Sequence, residues 1–94
     1  MPTFFKMLDL STAHLPQKVC ENLNRYNSVT ADKSECGWLL SVPEDINDVL
    51  RWNNGAVPTA VVHIWRHAQK HDCQYVLIDR DGAKYEELPI YQWE

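Results

Sequence analysis

The chain has 94 residues, of which 45% are hydrophobic, and a formal net charge of −4. This length predicts one globular domain over residues 1–94. The negative charge argues against direct nucleic-acid binding, which usually needs a basic surface, and permits a protein partner with a basic surface. No apolar run approaches the roughly 20 residues of a membrane helix, and the first residues lack the pattern of a signal peptide. We therefore expect a cytoplasmic protein with no membrane contact.

Apolar periodicity predicts three strands and three helices in the order β-α-β-α-α-β, followed by a C-terminal tail. The predicted strands concentrate apolar residues, and the predicted helices repeat them at helical spacing. In chain order the elements are a strand over Phe4–Leu10, a helix over Pro16–Tyr26, a loop over Asn27–Glu35, a strand over Cys36–Val42, a short helix with Ile46, Val49 and Leu50, a helix over Pro58–His71, a strand over Tyr75–Ile78 and an apolar tail over Leu88–Trp93.

Local signals indicate where the helices begin. Pro16 and Pro58 suit the first turn of a helix, where the missing N–H of proline has no intrahelical partner to lose. Ser41 and Glu44 have the spacing of a capping box, which predicts that Ser41 caps the second helix.

The predicted strands are separated by helices, so each connection is long enough for a crossover. We expect a small α/β domain with about three strands in a mainly parallel sheet, and a packed C-terminal tail. An antiparallel first strand would make the domain α+β instead. In either arrangement, functional residues are expected where strands end and loops begin. The apolar run Tyr75–Ile78 is typical of a buried central strand.

Three pieces of the sequence resemble a known family. They are Ser-Thr-Ala-His over Ser11–His14, Gly-Trp at Gly37 and Trp38, and the stretch from His71 to Gly82, which continues into Leu-Pro-x-Tyr-x-Trp over Leu88–Trp93. The set resembles a family of short bacterial proteins of unknown function carried on plasmids, integrative elements and prophages. The resemblance implies an accessory protein of a mobile genetic element and implies no particular activity.

Candidate catalytic residues lie at two predicted strand ends. His14 follows the first strand, and Asp79 and Asp81 follow the third. If these strands are parallel neighbours, the three side chains meet at one edge of the sheet. One histidine and two carboxylates could bind a metal or transfer a proton. The alternative is a structural hydrogen bond from His14, which the sequence favours.

Candidate metal ligands lie on the third predicted helix. His63, His67 and His71 are spaced four residues apart along the helix, so two of them could chelate a transition metal. The candidate ligands are His63 and His67. Arg66 and Lys70 alternate with them and oppose a cation. The pattern is more typical of a solvated helix face, and the sequence indicates no cofactor.

The tail supplies the predicted partner-binding residues. They are Tyr85, Glu86, Glu87, Tyr91 and Trp93. The aromatic rings could stack on bases, but the glutamates repel phosphates, so packing in the core or at a protein interface is favoured.

Without a complete catalytic motif, the chain is predicted to be non-enzymatic. We expect an accessory protein that binds a host or element-encoded protein, with counter-defence inhibition (anti-CRISPR or anti-restriction) or regulation as candidate roles. The alternative is a small metal-assisted hydrolase that uses His14, Asp79 and Asp81. The three cysteines, Cys20, Cys36 and Cys73, are predicted to be free thiols in a reducing compartment.

Overall fold

A computed structural model describes residues 5–26, 29, 31–33, 37–52 and 57–91. In this part of the chain there are four strands, three α-helices and two short 3-10 turns. The strands are β1 (Met7–Ser11), β2 (Ala31–Lys33), β3 (Gly37–Ser41) and β4 (Tyr75–Asp79), the helices are α1 (Gln17–Glu21), α2 (Ile46–Trp52) and α3 (Thr59–Lys70), and the 3-10 turns are Thr12–His14 and Leu23–Arg25.

The strands form one mixed sheet in the order β1-β4-β3-β2. β1 pairs with β4 in parallel, whereas β3 is antiparallel to both β4 and β2. The domain is therefore α+β, and the expected three-stranded, mainly parallel sheet is wrong. The predicted pair of helices between β3 and β4 is present but does not form a crossover. Such a pair returns the chain to the end of β3, where Ser41 pairs with Tyr75 and β4 begins in the opposite direction.

β2 lies within the segment predicted as a loop, Asn27–Glu35. Its residues Ala31, Asp32 and Lys33 pair with β3. Only Ala31 is apolar, so periodicity gives no signal, and the pairing comes from the adjacent strand.

The helix starts agree with the sequence in part. α3 follows Pro58, as predicted. α2 begins at Ile46, and Asp45 rather than Ser41 caps it, since the Asp48 N–H donates to Asp45 Oδ1 at 3.0 Å. Ser41 is the last residue of β3, and the following Val42 precedes a proline, which disfavours helical backbone there. The predicted capping box is therefore wrong.

The helices contribute to a single core on one face of the sheet. The strand residues in this core alternate along each strand, as they must when one face is covered. They include Leu8, Leu10, Trp38, Leu40, Val76 and Ile78, which cluster with Leu15, Leu23, Ile46, Val61, Ile64 and Trp65. None of the described helices has the length and hydropathy that a membrane crossing requires.

Residues 82–91, here called the C-terminal segment, run from β4 back along the outer edge of β1. The Ser11 N–H donates to the Ala83 carbonyl at 2.8 Å, and the Tyr91 N–H donates to the Ala13 carbonyl at 2.8 Å. The Tyr85 hydroxyl donates to the Asp9 carbonyl at 2.9 Å. Leu88 is buried in the core. The described part of the tail is therefore packed, as predicted, while Trp93 lies outside the described residues.

Candidate functional site

His14 is held by the C-terminal segment. It lies in the 3-10 turn after β1 and is 1% exposed. The Tyr85 N–H donates to His14 Nε2 at 2.9 Å, so Nε2 carries a lone pair and the ring proton is on Nδ1. Nδ1 in turn lies 2.9 Å from the Pro89 carbonyl oxygen, to which it donates. Both ring nitrogens are therefore engaged by backbone groups.

Asp79 and Asp81 shape the turn that ends β4. Asp79 Oδ1 accepts a hydrogen bond from the Asp81 N–H at 3.0 Å, and the Gly82 N–H donates to the Asp79 carbonyl at 3.0 Å. β1 and β4 are parallel neighbours, as the sequence argument required. His14, however, would have to release one of its backbone partners before it could bind a metal or accept a proton beside these acids. The metal-assisted hydrolase stays a prediction without support from this geometry.

His67 is the second buried histidine, and it lies on the inner face of α3. Its Nδ1 is 3.2 Å from Glu87 Oε2, while the side chain is only 3% exposed. Its ring centroid is 4.7 Å from that of His71 and 4.8 Å from that of Tyr85. Lys70 Nζ reaches the same Glu87 oxygen at 3.4 Å. The C-terminal segment therefore meets α3 through one carboxylate and two helix side chains.

Burial lowers the pKa of His67 below its ordinary value of 6.5, and the neighbouring His71 lowers it further. The Glu87 carboxylate acts in the opposite direction, but the desolvation of the imidazolium outweighs it. At neutral pH the contact is therefore one between a neutral imidazole and a carboxylate. The other nitrogen, Nε2, is buried and has no hydrogen-bond partner among the described residues.

A groove of about 340 Å³ lies between α3 and the C-terminal segment. Its lining residues are His63, Arg66, His67, Lys70, Glu87, Leu88 and Pro89. Of the two histidines named from the sequence, His63 is exposed and His67 is buried. The structure brings His67 to His71 and to Glu87, a carboxylate that helix spacing alone cannot place.

The predicted partner-binding residues of the tail are largely used for internal contacts. Tyr85 forms hydrogen bonds with His14 and Asp9, and Glu87 contacts His67 and Lys70. Tyr91 is partly buried against the core. Glu86 is exposed, and Trp93 is not among the described residues.

The face of the sheet opposite the core carries a patch of apolar side chains that the sequence analysis did not identify. Paired residues point to the same face, which here aligns Met7 with Tyr75, and Leu77 with Leu39. Phe5 continues this patch, with its ring 5.7 Å from that of Tyr75. We call these five residues the open face. None of them belongs to the core or packs against it, and Phe5 and Met7 are 62% and 54% exposed.

Acidic side chains border the open face. In the register of the sheet, Asp9 and Asp32 are at the two ends of the row that contains Leu77 and Leu39. Asp79 is the last residue of β4 and points to the same face as Tyr75 and Leu77. Among the described strand residues that point to this face, these three are the charged ones and none is basic. The strand residues of the open face are therefore apolar at its centre and acidic at its border.

The described cysteines show no sign of catalytic activation. Cys20 and Cys73 are buried free thiols, as predicted, and Cys36 lies outside the described residues. Burial raises the pKa of the Cys20 thiol, which suppresses the reactive thiolate.

Comparison with known proteins adds a family but no activity. The family model described as "Family of unknown function (DUF5983) C-terminal domain" matches residues 7–93 of the chain. Neither a curated protein nor a solved structure gives a significant match. The match includes all four strands, all three helices and the C-terminal segment.

Proposed function

Because this chain belongs to the DUF5983 family, whose description names no activity, we propose a function from geometry: it binds a partner protein through the open face. The single observation that carries the proposal is a sheet with helices on one side and an apolar patch on the other. That patch consists of Phe5, Met7, Leu39, Tyr75 and Leu77.

Exposed apolar area of this kind is costly to leave in water. Burial of apolar surface stabilises a complex by roughly 25 cal/mol per Å², and contiguous exposed patches commonly mark interaction sites. Antiparallel sheets can leave one face to solvent, but that face is then usually polar. Here Tyr75 and Leu77 occupy the central strand, where a solvated face would place polar residues. A protein partner that covers them supplies the missing contact.

The charge around the patch indicates the chemistry of the partner. Asp9, Asp32 and Asp79 border the open face, and the whole chain carries a formal charge of −4. A partner with an apolar centre and a border of lysine and arginine is complementary to this arrangement. A second copy of the chain is a poorer occupant, because a symmetric dimer through this face would place acidic borders near each other.

We further propose that the partner is a host protein or a protein encoded by the same mobile element. The resemblance to short proteins of plasmids, integrative elements and prophages supports this, together with the small size and acidic charge of the chain. The narrower roles that fit such a binder are inhibition of a host defence system, such as a CRISPR or restriction complex, and regulation of an element-encoded protein. Nucleic-acid-binding defence proteins have the basic surface that complements the acidic border of the open face.

Capture of the partner from the native host tests the proposal when face variants are compared with matched controls. Met7→Lys and Asp9→Lys alter the open face and its border. Ile90→Lys and Glu86→Lys make the same kinds of change on the C-terminal segment, and Ile90 is 54% exposed, as is Met7. We expect the wild type and the two controls to retain one stoichiometric partner that both face variants lose. If the Ile90→Lys and Glu86→Lys proteins lost the partner instead, the interface would lie on the C-terminal segment and the proposal would be wrong. Equal capture of the partner by all five proteins would also contradict the proposal.

A further inference from the structure

Three potential metal ligands converge where α3 meets the C-terminal segment. His67 and His71 are four residues apart on the helix and at its C-terminal cap, so they lie on the same side. Glu87 approaches from the C-terminal segment. One ligand atom from each of the three residues lies within 4.8 Å of the other two.

One pair of these ligand atoms lies near the spacing of a metal site. Two atoms bound at about 2.0–2.2 Å to one tetrahedral ion lie roughly 3.3–3.6 Å apart. His67 Nδ1 and Glu87 Oε2 are 3.2 Å apart. His71 is exposed at the end of the helix, so its side chain can rotate through the remaining distance without disturbing the core.

We propose that His67, His71 and Glu87 bind a divalent transition-metal ion and thereby fasten the C-terminal segment to α3. Two imidazoles and one carboxylate are a ligand set that zinc accepts. Zinc in such sites is usually four-coordinate and tetrahedral. Three protein ligands leave one position for water. The site is separate from the open face, and its existence does not depend on the proposed partner.

Two features of the surroundings oppose binding of the ion. Lys70 Nζ lies 3.4 Å from Glu87 Oε2, so the ammonium group must move away when a cation binds. The Lys70 side chain is 67% exposed, which allows this movement. Coordination through His67 Nδ1 also shifts the ring proton to Nε2, which has no acceptor among the described residues. The bond to the metal must outweigh the burial of that N–H.

Zn²⁺ affinity distinguishes a metal site from a cluster that only stabilises the fold, because the competing Lys70 should then weaken binding. Zn²⁺ is titrated by calorimetry into the metal-free protein and four variants. His71→Gln and Glu87→Gln change exposed ligands, so these proteins should fold. Each should weaken Zn²⁺ binding by more than about tenfold, since even the loss of an outer contact to a ligand costs 10–100-fold. Lys70→Gln should strengthen binding several-fold, because it removes the competing charge.

His63→Gln is the matched control, since it makes the same substitution on α3 four residues before His67, on a side chain that lines the same groove. It should leave the affinity unchanged. Co²⁺ as a second probe should give the visible bands of a tetrahedral nitrogen and oxygen site. The proposal is overturned if the wild type does not bind Zn²⁺, if His71→Gln binds as tightly as the wild type, or if Co²⁺ shows the charge-transfer band of a thiolate ligand from a cysteine.

Discussion

The backbone N–H of Tyr85 donates a hydrogen bond of 2.9 Å to Nε2 of His14, across 71 positions of the chain. The same ring donates from Nδ1 to the Pro89 carbonyl at 2.9 Å. A buried imidazole thus satisfies a donor and an acceptor of a segment that has no regular secondary structure. The Ser-Thr-Ala-His motif serves, in this structure, to hold the C-terminal segment against the end of β1.

Replacement of His14 by phenylalanine should therefore destabilise the fold. The ring volume is kept, but the Tyr85 N–H and the Pro89 carbonyl lose their partner, and each unsatisfied buried group costs about 1–3 kcal/mol. We expect the free energy of unfolding in urea to fall by about 2–4 kcal/mol. His63→Phe, at an exposed position of α3, should change it by less than about 0.5 kcal/mol. Equal stability of the two variants would show that the His14 contacts contribute nothing.

Leu88 anchors the C-terminal segment in the core, whereas Ile90, two residues later, is exposed. Leu88→Ala should lower the free energy of unfolding by about 2–5 kcal/mol, the usual cost of a leucine-sized cavity. Ile90→Ala should have almost no effect, and deletion of residues 88–94 should lower the melting temperature strongly. An unchanged melting temperature in the deletion variant would show that the tail is loose.

The lowered pKa of His67 makes stability depend on pH. The unfolded chain takes up a proton near the ordinary value of 6.5, but the folded chain takes it up only at lower pH. The contribution of His67 is therefore complete above about pH 6.5 and is lost as the pH falls from there through the lowered folded-state pKa. The pKa of His67 is also affected by the charges of its neighbours, which are His71, Glu87, Lys70 and His14.

Urea unfolding of the wild type and His67→Gln between pH 8 and pH 5, with a chelator present, isolates this contribution. We expect the difference in stability between the two proteins to be constant above about pH 6.5 and to shrink as the pH falls below it. A difference that grows toward low pH would mean that the Glu87 carboxylate outweighs desolvation and that the folded state favours the imidazolium.

Gly82 allows the C-terminal segment to pass directly against β1. A Cβ at this position would lie 2.4 Å from the Leu10 carbonyl oxygen, which is backbone and cannot rotate away. Gly82→Ala should push the segment outward, break the hydrogen bond from Ser11 to Ala83 and cost about 1–3 kcal/mol. Hydrogen exchange of the Ser11 amide should accelerate in this variant and stay unchanged in Lys84→Ala, an alanine substitution at an exposed site of the same segment.

The sequence was sufficient for elements with strong periodicity and insufficient for how they pair. α3 and β4 were predicted within a residue or two, because apolar spacing is a local property. β2 was missed because its pairing, not its composition, makes it a strand. The apolar run Tyr75–Ile78 is typical of a strand buried on both faces, as a parallel sheet would require. The two helices between β3 and β4 instead make these strands antiparallel, and Tyr75 and Leu77 lie on the open face.

The candidate sites show the same division. The i, i+4 spacing correctly places His67 and His71 together, since helix geometry fixes it. The approach of Glu87 depends on the path of the C-terminal segment, which no local pattern encodes. For His14, the sequence favoured a structural hydrogen bond, but its partners, Tyr85 and Pro89, follow only from the three-dimensional structure.

Site-specific crosslinking in the native host tests partner binding through the open face most directly. A photo-reactive amino acid is placed at Met7, on the open face, and in a second protein at Ile90, which is equally exposed on the C-terminal segment. We predict that irradiation joins the Met7 protein to one partner with a basic surface, in a product that the Ile90 protein does not form. A product at Ile90 alone, a product that consists of two copies of this chain, or no product at either position would contradict the account.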